Sequence, residues 1–307
     1  MINASTIMPK KTADAHIQSV TLKGVLINTL LTLFKFLAAI LGHSAAMLSD
    51  AVHSLSDLAT DIIVLVLMKP GLKSNDATHD YGRGKYGTVA ALITGIIIGF
   101  IGLWLCHHGV TVAIRAIHGQ VLQQPGYIAL IAALVSIVVK EWLYRITLPV
   151  VRKTGSQVLA GNAWHHRSDV ISSIGTFFGI FVAIFFGVRW RIVDPITSVV
   201  VSVFIIRIAW LLILNAVRDL SEHSLPDEIE AEIAHLAEEE PDVREVRKVL
   251  SRRVGQSLAI ELLVAMPGAL SVTEAHRHAL RIEEKLKEKY DNITHVGIHI
   301  VPEDYLA

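Results

Sequence analysis

Residues 44–69 read SAAMLSDAVHSLSDLATDIIVLVLMK. The stretch is long enough to cross a bilayer as a helix at about 1.5 Å per residue. It nevertheless carries Asp50, His53, Asp57 and Asp61. At about 100° per residue, spacings of three, four and four place those side chains on one stripe roughly 80° wide. Three carboxylates and an imidazole cannot face lipid, so the stripe must face other helices or a water-filled path. A second stretch, NAWHHRSD at 162–169, repeats the pattern with His165 and Asp169. Asn162 and Ser173 extend that stripe, and the spacing turns His166 and Arg167 away from it.

A residue four places on in a helix lies above its partner, so each His-x-x-x-Asp pair aims an imidazole and a carboxylate in one direction. Two such helices face to face offer two nitrogens and two oxygens, a tetrahedral shell suited to zinc. A polar network that only fixes helix packing is the plainer alternative, although amides and hydroxyls would do that at lower cost. The pattern argues against an enzyme. An intramembrane zinc protease needs H-E-x-x-H and an open ligand position. The chain has no such motif, and four donors close the tetrahedron.

Working outward, the 307 residues are 52% hydrophobic and 18% charged, below the quarter or so typical of soluble domains. The formal net charge of zero gives no support to nucleic-acid binding, and a single cysteine, Cys106, excludes an internal disulfide and a cysteine-built metal site. The N-terminus lacks a signal-peptide pattern and reads as a retained cytoplasmic segment, residues 1–19. Six candidate spans follow near 20–42, 44–69, 87–117, 124–150, 158–187 and 190–215, within a transmembrane unit of 20–220. Lys10, Lys11, Lys23, Lys69, Lys73, Arg83, Lys85, Arg152 and Lys153 fall on one side, and only Arg115, Arg189 and Arg191 on the other. By the positive-inside rule both termini are cytoplasmic. Lys35 and the Lys140/Glu141/Arg145 group lie inside spans, read as snorkelling side chains or internal ion pairs.

Composition changes near residue 221, and residues 221–307 read as a small α+β domain. A helix is expected over 226–239, with Pro226 and three acids at its start. Strands are expected at 243–252 and 256–265 around a turn at Gly255, then a helix at 271–288 and a strand at 294–302. The order α-β-β-α-β suits a sheet with helices on one face, of ferredoxin-like or metallochaperone-like type.

The chain resembles the cation diffusion facilitator family of proton-coupled divalent-metal exporters. The resemblance rests on HSLSD at 53–57, HHRSD at 165–169, the loop YGRGK at 81–85, SLPDE at 224–228 and GIHIVPE at 297–303. It implies six membrane helices, a cytoplasmic domain, a homodimer, a location in the cell's inner membrane, and a transport site of His53, Asp57, His165 and Asp169. Members with histidine at the His53 position are usually zinc exporters, so zinc is the expected substrate, with no bound cofactor. Fe²⁺, Cd²⁺, Co²⁺, Ni²⁺ or Mn²⁺, or a non-transporting metal-sensing partner, are the alternatives. The resemblance also places a loop site on Asp76 and His79, where Arg83 at the third position argues against metal. It pairs Lys85 with Glu222 as a dimer-stabilising bridge. In the tail it puts Glu261, His276 and His299 at ligand-like positions, with His278, His295 and Glu303 as nearby substitutes. Val301 and Lys248 stand where further ligands are expected. A plainer reading of His299 is that it only occupies one sheet face.

Overall fold

The computed structural model describes residues 10–67, 79, 82–154, 157–255, 257–290 and 292–304. Six long helices come first: α1 (Lys10–Leu41), α2 (Ala45–Leu67), α3 (Gly84–Ile117), α4 (Tyr127–Thr154), α5 (Gln157–Phe185) and α6 (Val193–Leu220). A short 3-10 turn, Val188–Ile192, leads into α6. The tail supplies α7 (Asp227–Glu238), β1 (Glu245–Val254), β2 (Ser257–Met266), α8 (Val272–Lys289) and β3 (Ile293–Pro302). The helical membrane domain and the α-β-β-α-β tail agree with the expectation from sequence. Element ends differ by a residue or two in the tail, and α1 starts ahead of its expected span.

Among the described residues, α1, α3, α4, α5 and α6 contain stretches long and apolar enough to cross a membrane. α2 lacks such a stretch because Asp50, Asp57 and Asp61 interrupt it. The chain falls into two compact units, residues 1–62 with 94–211, and residues 63–93 with 212–307. In the first, Ala38 and Ala39 of α1, Ala46 of α2, and Ala129, Ala132 and Ala133 of α4 are buried together with Ile180 and Ile184 of α5. Small side chains let helix backbones approach closely, which is how helices associate where lipid is as apolar as the interface. A second cluster joins Val52 of α2, Ile98 and Leu105 of α3, and Val201, Ile205 and Ala209 of α6. Large apolar side chains such as Leu26, Leu37, Phe100, Trp104 and Phe204 point outward.

Local chemistry locks α2 to α6. The Ser44 hydroxyl donates to Asp194 Oδ1 at 2.6 Å, and the Ala45 amide donates to Asp194 Oδ2 at 2.8 Å. The Ser44 oxygen in turn accepts from the Met47 amide at 3.1 Å, capping α2 as an N-terminal serine does. One turn inward, Ser49 and Ser198 share a hydrogen bond of 2.7 Å.

In the second unit the sheet order is β1-β2-β3. β1 and β2 form an antiparallel hairpin, and β3 lies parallel to β2 after the α8 crossover. Gly255 turns the hairpin at φ 63°, a left-handed conformation that glycine adopts freely. Ile260, Leu262, Val264 and Met266 of β2 meet Ile233 of α7 and Ile282 and Leu286 of α8 in one dry core. Each such burial is worth about 1.5–3 kcal/mol. α8 begins with a capping box in which Ser271 and Glu274 each bond the other's backbone amide, at 3.3 and 3.0 Å.

Candidate metal centre

The α2 and α5 stripes converge. His53, Asp57 and Asp169 each place a ligand atom within 4.8 Å of the others, the only such cluster among the described residues. His53 Nε2 lies 3.8 Å from Asp169 Oδ1. His165 approaches from the more open side, with Nε2 3.5 Å from Asp57 Oδ1 and 3.9 Å from Asp169 Oδ2. Both carboxylates are buried, whereas the His165 side chain is 43% exposed. Asp57 Oδ2 and His53 Nδ1 are buried and have no hydrogen-bond partner among the described residues. An unpartnered carboxylate oxygen in a dry interior is costly. The donor set therefore suits a cation: two imidazoles and two carboxylates converge from two helices with spare lone pairs.

Two lysines complete the surroundings, and their role was not legible from periodicity. Lys140 of α4 is buried and its Nζ lies 2.5 Å from Asp169 Oδ2 and 4.0 Å from Asp57 Oδ2. Lys35 of α1 is equally buried, 2.6 Å from Asp50 Oδ2, and donates to Ser54 Oγ at 2.9 Å. Both are internal ion pairs and not snorkelling side chains. A lone charge at mid-bilayer costs about 2.5–3.5 kcal/mol on insertion scales, which explains why each ammonium meets a carboxylate. Arg145 and Glu141 form a one-turn pair at 2.8 Å, on a more exposed face of α4. Asp50 is thus paired with Lys35, while the side chain of Asp61 lies outside the described residues.

His166, expected to turn away from the stripe, is buried at 2% exposure, and its neighbour His165 is the more open ring. At about 100° per residue His166 lies only about 20° from Ser173, so it shares the buried side of α5 with Asp169, while Arg167 and Trp164 on the far side are exposed.

Asp76 lies outside the described residues. His79 ring nitrogen Nε2 is 3.2 Å from the Tyr86 hydroxyl. The loop motif finds a steric reason instead: a Cβ on Gly84 would lie 2.9 Å from Val254 O, so the start of α3 fits against the β1–β2 hairpin only without a side chain. Lys85 Nζ donates to Glu222 Oε1 at 2.8 Å within one chain, and Arg252 approaches Glu222 Oε2 at 3.5 Å. The bond from Lys85 and the two positive charges hold the Glu222 carboxyl below its ordinary range.

The three tail positions do not converge within one chain. Glu261 and His299 are exposed on the face of the sheet opposite the core, with Glu261 beside Gly297 and Leu263 beside His299. His276 is exposed on α8, which packs on the other face. Glu261 also sits 3.9 Å from the Arg252 guanidinium. Of the substitutes, Glu303 pairs with Arg244 at 3.5 Å. His278 is engaged at both nitrogens, with Nδ1 3.1 Å from Glu240 and Nε2 3.4 Å from Asp242.

Comparison with known proteins identifies the family. Residues 22–221 match the cation efflux transmembrane domain, and residues 225–303 match the cytoplasmic domain of cation efflux proteins. The chain belongs to the cation diffusion facilitator family, whose members are transporters of metal cations and not enzymes. The manganese efflux system protein MneP of Bacillus subtilis is 27% identical over 93% of this chain and 96% of its own length. The magnetosome protein MamB of Magnetospira is 26% identical, over 90% of this chain and 92% of its own. Among solved structures, a cadmium form of the MamM CTD aligns with 25% of this chain and 95% of its own length, at 22% identity and a TM-score of 0.24.

Proposed function

We propose that this protein exports Zn²⁺ from the cytoplasm in exchange for protons, through a site formed by His53, Asp57, His165 and Asp169. The observation that carries the reading is the convergence of the α2 and α5 pairs, with Asp57 Oδ2 and His53 Nδ1 buried and without a hydrogen bond. Two imidazole nitrogens favour zinc over manganese, which prefers oxygen donors. Manganese is the second reading, because MneP is named a manganese efflux protein. Proton exchange follows from ligation chemistry: carboxylates and imidazoles bind metal only when deprotonated, so protons from the far side compete for the same lone pairs.

The membrane is the cell's inner membrane, with both termini cytoplasmic, residues 20–220 spanning it and 221–307 forming a regulatory and dimerisation domain. The protein acts as a homodimer, in which the Lys85–Glu222 bridge steadies the arrangement. Glu261, His276 and His299 serve as metal ligands in the dimer only if a second chain completes their shell.

Proteoliposome flux tests the reading. Zn²⁺ uptake is expected to rise with an opposing proton gradient and to exceed Mn²⁺ uptake, and Asp57→Ala is expected to abolish it. Transport indifferent to the gradient overturns the exchange, and faster Mn²⁺ flux overturns the zinc assignment. Retained flux in Asp57→Ala overturns the site.

A further inference from the structure

Three buried carboxylates, Asp50, Asp57 and Asp169, face two buried ammonium groups, Lys35 and Lys140. Lys35 is held away from the four-ligand cluster by Asp50 and Ser54. Lys140 is not: its Nζ contacts Asp169 Oδ2 and stands between that oxygen and Asp57 Oδ2. A zinc ion would need those oxygens at about 2.0–2.2 Å. A dication and an ammonium cannot both take the short side of one carboxylate pair, because their repulsion is little screened in a dry interior.

We infer that Lys140 is an internal counter-cation whose ammonium occupies the carboxylate pair between ions, leaves when metal binds, and returns to help expel it. The inference rests on the four-residue site proposed above. Polar acceptors for the displaced arm lie one turn away. Ser136, one turn before Lys140 on α4, shares a hydrogen bond of 3.1 Å with Ser173 on α5. Ser173 reaches Asp50 Oδ1 only at 3.5 Å, leaving that oxygen open to a stronger donor. The long, unbranched lysine stem can pivot from the Asp169 layer toward this neighbouring polar layer without leaving the protein. In this role Lys140 touches no metal. It acts through Asp57 and Asp169, setting how tightly the site holds its cargo and how readily it lets go.

The test compares the full-length wild type with Lys140→Gln, Lys140→Arg and Asp57→Ala in nanodiscs, using Zn²⁺ alone as the probe. Removing the competing charge is expected to tighten Zn²⁺ binding by about tenfold or more in Lys140→Gln. Turnover in proteoliposomes should fall with it, so that KM and kcat drop together, while Lys140→Arg binds no more tightly than wild type. A purely structural tether between α4 and α5 would weaken binding in Lys140→Gln, and unchanged or weaker affinity overturns the inference. If Lys140→Gln does not fold, infrared difference spectra of the wild type labelled with ¹⁵N-lysine decide. A zinc-induced, isotope-sensitive ammonium band is expected, and its absence overturns the proposal. Zinc binding lost in Asp57→Ala but unaltered in Lys140→Gln sinks the lysine role alone. Binding retained in Asp57→Ala sinks the site together with it.

Discussion

Asp57 and Glu240 are both buried carboxylates, one in the membrane unit and one at the end of α7. Glu240 is saturated: Arg281 donates to Oε1, His278 Nδ1 lies 3.1 Å from the same oxygen, and Lys285 is 3.4 Å from Oε2. Burial works against the charged form, but these bonds outweigh it and hold the carboxyl below its ordinary value of 4.5. Asp57 has His165 Nε2 3.5 Å from Oδ1 and the Lys140 ammonium 4.0 Å from Oδ2, and Oδ2 still accepts no hydrogen bond. The difference separates a polar group that builds structure from one kept ready for a ligand. The first closes every lone pair at home, and the second tolerates an unmet one.

The largest expected effect falls on the membrane side of this comparison. Asp169→Asn removes a proposed ligand and leaves Lys140 without its carboxylate, and zinc flux in proteoliposomes should fall by about two orders of magnitude or more. Flux within threefold of wild type would break the distinction. In the tail domain, Glu240→Gln should cost about 1–3 kcal/mol of domain stability, read as faster amide exchange in β2, with transport per folded molecule retained. The pH dependence has a definite sign. A depressed folded pKa means the Glu240 contribution is full above about 4.5 and is lost as pH falls through its lower folded value. The acid-side loss of stability should therefore shrink in Glu240→Gln. The smallest effect belongs to Lys85→Ala. That bridge joins side chains 40% and 49% exposed, so a small, salt-sensitive change in thermal melting is expected. A large, salt-independent change would show that the pair is buried in the working assembly.

Much of this was legible because it depends on periodicity. The i,i+4 spacing put His53 above Asp57 and His165 above Asp169 before any coordinates, and the turn at Gly255 divided the two hairpin strands. What was hidden depends on how helices are rotated against one another. Lys140 lies on a different helix from its partner Asp169, and nothing in the α4 sequence says which neighbour its ammonium meets. His166 was set apart from the stripe, yet at about 100° per residue it lies close to Ser173 and is buried with it. The placement of the tail positions was hidden by sheet geometry, since Glu261 and His276 look equally available until the strand faces are known.

The Ser44–Asp194 clasp has a mechanical consequence. It anchors α2 at its first residues, whereas Asp57 lies twelve residues farther along, about 18 Å at 1.5 Å per residue. Ser49–Ser198 ties α2 to α6 one turn further in, and Lys35 holds Asp50 and Ser54, so Asp57 lies just beyond the tethered part of the helix. A tilt of about 5° about the clasp carries Asp57 by ~1.6 Å over that length, enough to break a coordination bond. On the site proposed above, a rotation of that size at the clasp would separate gripping an ion from releasing it.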